Sequence, residues 1–208
     1  MLGQASSSLS IVDRLLLASA SPRRRGLLEQ MELSLPVETL PTDTDESTPA
    51  GWLPAQIVEQ LALRKARAAR EAIPDRETTA LIIGADTVVV SAGTVLGKPE
   101  DAEAARQMLQ QLQGSWHEVY SGIALLHSGS GETLLRHRVT RVHMKPLDAN
   151  RIERYIASGE PMDKAGSYGI QGLGALLVEE IEGCYFNVVG MSLTLLSDML
   201  SHFGVETL

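Results

Sequence analysis

The segment Ser19-Ala20-Ser21-Pro22-Arg23-Arg24-Arg25 places a helix start beside three arginines. The apolar run before it predicts a buried strand that leads straight into this helix. Ser21 suits the N-cap position, and Pro22 suits the first helical position. The free N–H groups and the positive end of the helix would then face the same space as the arginines, an arrangement that binds phosphate. An ordinary cap with a solvated basic surface explains these residues equally well.

Acidic residues occur in two places that could meet in a cleft. Asp86 closes the apolar run LIIGA, and the carboxyl end of such a strand is where α/β sheets usually bind ligands. Asp43, Asp45 and Glu46 lie in a polar loop. Converging carboxylates bind Mg²⁺, and one of them can take a proton from a water molecule. Loop capping is the alternative for Asp43 and Asp45, and it is the preferred interpretation of Asp43.

Two lysines could neutralise phosphate charge. Lys65 lies on a predicted helix, and Lys98 lies between Gly97 and Pro99, just before another helix. A solvated helix face is the alternative. It is preferred for Arg67 and Arg70, whereas the neighbours of Lys98 restrict its backbone.

The segment 159–174 is rich in glycine, which lets a backbone approach a ligand closely. Gln171 carries both a hydrogen-bond donor and an acceptor, which suits the edge of a base. The segment matches neither a dinucleotide-binding fingerprint nor a phosphate-binding P-loop. A turn-rich hairpin and a binding site therefore both remain open for it.

Alternating helices and strands must position these residues. The pattern predicts a mixed α/β sheet, because antiparallel hairpins stand among the strand–helix units. The predicted strands are 15–19, 33–40, 80–86, 87–90 with 94–96, 117–127 with 133–144, 167–171 and 175–181. The predicted helices are 22–31, 54–71, 101–113, 147–158 and 188–203.

Composition excludes several classes of protein. The 208 residues carry a formal net charge of −8 and only 4% aromatic residues, which argues against nucleic-acid binding. The one cysteine, Cys184, excludes an internal disulfide. Without a signal sequence or a spanning segment, we expect a cytoplasmic protein with no membrane partner. We expect residues 1–13 to form a flexible extension and residues 14–208 to form a single domain.

Seven segments in this order resemble the Maf family of nucleoside triphosphate pyrophosphatases, from about Leu15 to Leu200. They are LLLASASPRRRGLL, TDTDES, LALRKARA, LIIGADTVVV, GKPEDAEAARQML, GEPMDKAGSYGIQGLGALLVEEIEG and NVVG. The resemblance implies an elongated α/β fold with a mixed, curved sheet flanked by helices. Two lobes with a central cleft are expected, as in the inosine triphosphate pyrophosphatases. It also implies hydrolysis of a nucleoside triphosphate to the monophosphate and pyrophosphate, a divalent metal (Mg²⁺ or Mn²⁺), and often a homodimer.

The resemblance also implies roles for individual residues. Asp86 matches the proton acceptor, and Glu46 matches the acid that holds metal and water with it. Ser21, Arg24, Lys65 and Lys98 match positions that hold the triphosphate, so the catalytic set is Asp86, Glu46, Lys65 and Lys98. Arg23, Thr87 and Gln171 match specificity positions around the base, and all three are typical of the dTTP/UTP branch.

Two other functions stay open beside a house-cleaning dTTP/UTP pyrophosphatase. One is a pyrophosphatase for modified or purine nucleotides. The other is a nucleotide-binding regulator of cell division without turnover, against which the intact pair of Glu46 and Asp86 argues. Asp163 and Lys164 receive no role from the sequence beyond a charge contact at the edge of the cleft.

Overall fold

The computed structural model describes residues 12–73 and 79–207. The strands are β1 (Arg14–Ala18), β2 (Val37–Thr39), β3 (Ala80–Ser91), β4 (Thr94–Leu96), β5 (Trp116–His127), β6 (Thr133–Met144) and β7 (Val178–Glu182). The helices are α1 (Pro22–Glu29), α2 (Pro54–Ala72), α3 (Ala102–Leu112), α4 (Ala149–Ala157), α5 (Tyr185–Val189) and α6 (Leu193–His202). Three short 3₁₀ turns, Glu160–Asp163, Ala165–Ser167 and Gly172–Leu176, join α4 to β7.

The seven strands form one mixed sheet in the order β2-β1-β3-β5-β6-β7, with β4 paired to β3. β1 is parallel to β2 and to β3, whereas the remaining pairs are antiparallel. The predicted mixed sheet flanked by helices is therefore confirmed.

The position of the cleft follows from the register of β1 and β4 on β3. β1 ends at Ala18, which pairs with Gly84. β4 pairs with β3 only from Val89 onward. Residues 85–88 of β3 therefore have no strand partner on this edge within the described residues. The chain turns away here because the Ser-Pro sequence after β1 starts α1. The resulting gap opens a passage between the two faces of the sheet.

Two glycines allow helix α2 to lie directly on the sheet. A Cβ atom at Gly84 would stand 2.0 Å from the backbone oxygen of Ala62, and one at Gly122 would stand 2.4 Å from the backbone oxygen of Val58. Any side chain at either position would therefore push the helix away. This close approach places Lys65, three residues after Ala62, beside the next part of β3.

Helix α2 packs on one face of the sheet, and two hydrophobic cores lie along the other face. One packs α1 and α6 against β1, and the other packs α3 and α4 against the far parts of β3 and β5. β3 and β5 contribute to both cores, for example through Ile83 to the first and Val89 to the second. Two lobes thus share continuous strands, with the gap after β1 between them, as expected.

Several local predictions were wrong. Asp86 lies in the middle of β3 rather than at its end, because the β-branched residues that follow it continue the strand. Residues 167–171 do not form a strand, because Ser167 (φ +58°) is left-handed and ends one 3₁₀ turn while Gly172 begins the next. The predicted helix 188–203 is divided at Gly190 (φ +134°), and Ser192 caps the second part. Of the predicted extension 1–13, residues 1–11 lie outside the described residues.

Candidate active site

A cleft of about 650 Å³ opens at the gap beyond β1. All nine residues that the sequence predicted for the site line it: Ser21, Arg23, Arg24, Glu46, Lys65, Asp86, Thr87, Lys98 and Gln171. They come from α1, the polar loop before α2, α2 itself, β3, the loop after β4 and the glycine-rich segment. The fold therefore brings together residues that are up to 150 positions apart in the chain.

Lys65 joins the two predicted acids on the face of the sheet that α2 covers. Its Nζ atom lies 2.5 Å from Asp86 Oδ1 and 2.8 Å from Glu46 Oε1. The side chains of Lys65 and Asp86 are only 12% and 9% exposed, whereas that of Glu46 is 48% exposed. One ammonium group therefore serves two carboxylates, one deep in the cleft and the other at its surface.

Burial raises the pKa of Asp86, although the charges of Lys65 and Arg24 act in the opposite direction. A buried carboxylate with a raised pKa is a stronger base than an exposed one. Partial burial also acts to raise the pKa of Glu46. Its hydrogen bond to Lys65 and the nearby positive charges outweigh this effect, so the pKa of Glu46 lies below its ordinary value.

The donor set suits a hard divalent cation such as Mg²⁺. Glu46 and Asp86 offer carboxylate oxygens on opposite sides of one ammonium group. No group of three or more His, Cys, Asp or Glu side chains that could hold a metal occurs within residues 12–73 and 79–207. Mg²⁺ needs only one or two carboxylates when water and substrate phosphates complete its shell, so the residues present fit such an ion.

The start of α1 is built as the sequence predicted. The Ser21 hydroxyl accepts a hydrogen bond from the backbone N–H of Arg24 at 3.4 Å, and Pro22 is the first helical residue. The hydroxyl of Ser19 accepts from the backbone N–H of Ser21 at 3.2 Å. The positive end of α1 therefore faces the cleft, where an anion would be stabilised.

Arg24 reaches from α1 to the opposite face of the sheet from Lys65. Its Nε–H donates to the Gly190 carbonyl at 3.1 Å, and its Nη2 donates to Thr87 Oγ1 at 3.1 Å. Nη1 lies 3.4 Å from Ser19 Oγ. These partners are all neutral, so no direct contact within the described residues compensates the charge of the guanidinium. Burial lowers the pKa of Arg24, while Asp86 acts to raise it.

The other predicted residues occupy the walls of the cleft. Arg23 Nη1 lies 2.9 Å from Asp163 Oδ2, which joins α1 to the glycine-rich segment. Lys164 Nζ lies 2.7 Å from the same carboxylate. Lys98 and Gln171 are exposed on the cleft. The charge contact that the sequence could only suggest for Asp163 and Lys164 therefore links the two lobes.

Sequence reasoning missed three residues behind Thr87. Ser121 Oγ lies 2.8 Å from Thr87 Oγ1 and donates to the Asn187 carbonyl at 2.9 Å. The Gly190 carbonyl accepts from Arg24 and also lies 3.3 Å from Thr87 Oγ1. The NVVG segment was visible as a matching pattern, but its partners on β3 and β5 depend on the register of the sheet.

Comparison with known proteins agrees with this geometry. The family described as Maf-like protein matches residues 14–203. A dTTP/UTP pyrophosphatase of Pelotomaculum thermopropionicum is 50% identical over 194 residues, covering 93% of this chain and 98% of that protein. A dTTP/UTP pyrophosphatase of Moorella thermoacetica is 49% identical over 195 residues, covering 94% and 97%.

A solved structure with a lower similarity is the nucleoside-triphosphatase, or dITP/XTP pyrophosphatase, of Mycobacterium abscessus. It is 17% identical, covers 92% of this chain and 90% of its own, and has a TM-score of 0.41. The two dTTP/UTP pyrophosphatases, by contrast, are 50% and 49% identical to this chain over nearly its full length, and the family model matches residues 14–203. On that ground the chain belongs to the family of Maf-like proteins.

Proposed function

We propose that this protein hydrolyses dTTP and UTP to the monophosphate and pyrophosphate. The observation that carries the proposal is the buried carboxylate of Asp86, which lies in a cleft beside Lys65 and whose pKa is raised. Similar proteins that match over nearly their whole length are named dTTP/UTP pyrophosphatases. A site with one strong base and many cations suits attack of water on a phosphate chain.

Binding of the triphosphate is assigned to the cationic wall of the cleft. Ser21 and the start of α1 offer backbone N–H groups, and Arg24 offers the N–H groups that its protein partners leave unused. Lys65 and Lys98 add further positive charges. Together they offset the charge that develops on the departing pyrophosphate, which is the main task in phosphoryl transfer.

Asp86 is the proposed general base. It accepts a proton from a water molecule whose oxygen forms a bond to the α-phosphorus, while the bond from that phosphorus to the bridging oxygen of the β-phosphate breaks. The proton then passes to solvent or to pyrophosphate. A divalent ion, Mg²⁺ or Mn²⁺, held by Glu46 and Asp86 would supply charge neutralisation and polarise the phosphoryl oxygens. Glu46 also keeps Lys65 in place through its 2.8 Å contact.

Choice of the pyrimidine is assigned to Arg23, Thr87 and Gln171. Gln171 can pair with both donors and acceptors on a base edge. A site built on such paired hydrogen bonds can reject an analogue that lacks them by about 10⁴-fold, because its own polar groups would be left unpaired.

We further propose a single domain over residues 14–208 that forms a homodimer in the cytoplasm, with a nucleoside triphosphate as its partner and neither nucleic acid nor membrane. Residues 12–73 and 79–207 include no helix that is long and apolar enough to cross a membrane. Light scattering coupled to gel filtration tests the dimer directly.

The deciding experiment measures pyrophosphate release with Mg²⁺ or Mn²⁺ from dTTP, UTP, CTP, ATP, GTP, ITP and 7-methyl-GTP. We expect dTTP and UTP to be preferred, with the monophosphate as the second product. Preference for a purine would keep the reaction and contradict the assignment of Gln171. Binding of dTTP without release from any nucleotide would instead identify a regulator.

A further inference from the structure

Arg24 is held by the protein at three of its five N–H groups. The Gly190 carbonyl takes Nε–H, Ser19 lies near Nη1, and Thr87 takes one N–H of Nη2. Within the described residues, one N–H on each terminal nitrogen remains for a ligand. Such a pair forms the two-pronged donor that matches phosphate oxygens, provided that the plane of the guanidinium is fixed.

A chain of hydroxyl groups fixes that plane from behind. The Ser121 hydroxyl donates to the Asn187 carbonyl, which can only accept. The proton between Ser121 and Thr87 must therefore come from Thr87, which donates to Ser121 Oγ at 2.8 Å. Thr87 Oγ1 consequently presents a lone pair to Arg24 Nη2 at 3.1 Å. The Asn187 carbonyl thereby favours donation by Thr87 to Ser121 over donation to the Gly190 carbonyl, which lies farther away at 3.3 Å.

We propose that Ser121 is a positioning residue for phosphate binding. It turns the Thr87 hydroxyl so that Thr87 accepts from Arg24, and the Asn187 carbonyl in turn fixes Ser121. Asn187 and Ser121 thus act on an arginine of α1 although neither of them lines the cleft. This inference rests on the proposed function, because it assigns Arg24 to the triphosphate.

Burial makes the arrangement rigid. Ser121 is 1% exposed and Asn187 is fully buried, so water does not compete for their hydrogen bonds. The Asn187 side chain is held by its Nδ2 atom, which donates to the Val119 carbonyl and to Thr140 Oγ1. Without the Ser121 hydroxyl, Thr87 has the Gly190 carbonyl as its remaining acceptor, at 3.3 Å. It would then compete with Arg24 Nε–H for that oxygen.

The test compares two serine-to-alanine variants. Ser121→Ala removes the relay, whereas Ser128→Ala removes another buried hydroxyl, which lies just beyond the end of β5. The Ser128 hydroxyl accepts from the Ala80 N–H at 3.0 Å and does not line the cleft. We expect Ser121→Ala to raise KM for dTTP about tenfold and to change kcat by less than about threefold, because a ground-state contact is misaligned. Ser128→Ala should change neither constant by more than about twofold, even if both variants lose similar stability.

A double variant separates positioning from simple loss of structure. Lysine cannot reproduce the three fixed contacts of Arg24, so in an Arg24→Lys background Ser121→Ala should have no further effect on KM. Equal effects of the two serine variants on KM would overturn the proposal. So would a Ser121→Ala effect of the same size in both backgrounds.

A readout that does not depend on turnover keeps this proposal separate from the proposed function. Exchange of the Arg24 Nε–H with solvent can be followed by NMR on the full chain without any nucleotide. We expect faster exchange in Ser121→Ala and no change in Ser128→Ala. Unchanged exchange in Ser121→Ala would contradict the relay, whereas a wild-type protein that hydrolyses no nucleotide would contradict only the proposed function.

Discussion

Asp86 and Thr87 are consecutive residues of β3, yet their side chains lie on two sides of the cleft that carry opposite net charge. On the α2 side, defined by Glu46, Lys65 and Asp86, two carboxylates share one ammonium group. On the α1 side, defined by Arg24, Thr87, Ser121 and Gly190, the partners that the described residues offer to the guanidinium are neutral carbonyls and hydroxyls. Because successive side chains of a strand point to opposite faces, two neighbouring residues of β3 face a net negative charge on the α2 side and a net positive charge on the α1 side.

The net charge of each side determines what that side can bind. The α2 side lacks positive charge, so a divalent cation would complete it and Asp86 can serve as a base. The α1 side lacks negative charge, so a phosphate group would complete it. The two sides also differ in how they hold their charged groups. The ion pairs of the α2 side respond to pH, whereas the hydrogen bonds to carbonyls on the α1 side fix the orientation of the guanidinium.

The largest effects are expected when Asp86 and Thr87 are replaced in two separate variants. Asp86→Asn should lower kcat by about 10³-fold, since it removes a general base. Thr87→Val, of similar shape, should act chiefly on KM, since it removes an acceptor for Arg24. Steady-state kinetics with dTTP measures both. A Thr87→Val variant that loses as much kcat as Asp86→Asn would show that the two sides are not separate.

The same Asp86→Asn variant also tests the charge on the α2 side. A raised pKa in the folded state means that ionising Asp86 opposes folding. Its contribution to the free energy of unfolding therefore falls as the pH rises from the ordinary value of 3.8 through the raised pKa. Lys65, Arg24 and Glu46 are the charged groups that face it. Above this range and with a chelator present, Asp86→Asn should have a higher Tm than the wild type.

The next largest effect is expected from replacing Lys65, whose ammonium group contacts both carboxylates. Lys65→Met should lower the free energy of unfolding by about 3 kcal/mol, because it leaves the buried Asp86 carboxylate without its nearest cation. Denaturant unfolding at neutral pH measures the change. Adding Asp86→Asn to Lys65→Met should restore much of the loss, because the unpaired charge is then gone. An unchanged loss in the double variant would mean that Lys65 acts through packing rather than through charge.

The sequence singled out the charged residues of both sides but not how the two sides are separated. Ser21, Asp86 and Lys98 stand beside local signals such as a helix start or an apolar run, and these signals can be interpreted without a fold. The position of Asp86 in the middle of β3 was missed, because the residues after it continue the strand by pairing with β5, and this pairing depends on strand register. Ser121 and Gly190 could not be assigned either, because strand register and a helix break bring them to Thr87.

The contact that holds the α2 side together was equally hidden, since Gly84 and Gly122 look like ordinary strand residues. Gly84→Ala should lower the free energy of unfolding by about 2–3 kcal/mol, because the new Cβ would meet the Ala62 backbone oxygen at 2.0 Å and force α2 outward.

Gly26→Ala is the matched control for that variant. Gly26 lies within α1 with no atom within 4 Å of the new Cβ, so alanine should stabilise by about 0.5–1 kcal/mol. Thermal and denaturant unfolding measure both changes. Moving α2 should also separate Lys65 from Asp86, so Gly84→Ala should lower kcat while the Arg24 Nε–H still exchanges slowly. Faster exchange of that proton would show that displacement of α2 reaches the α1 side, and that the two sides of the cleft respond as one unit.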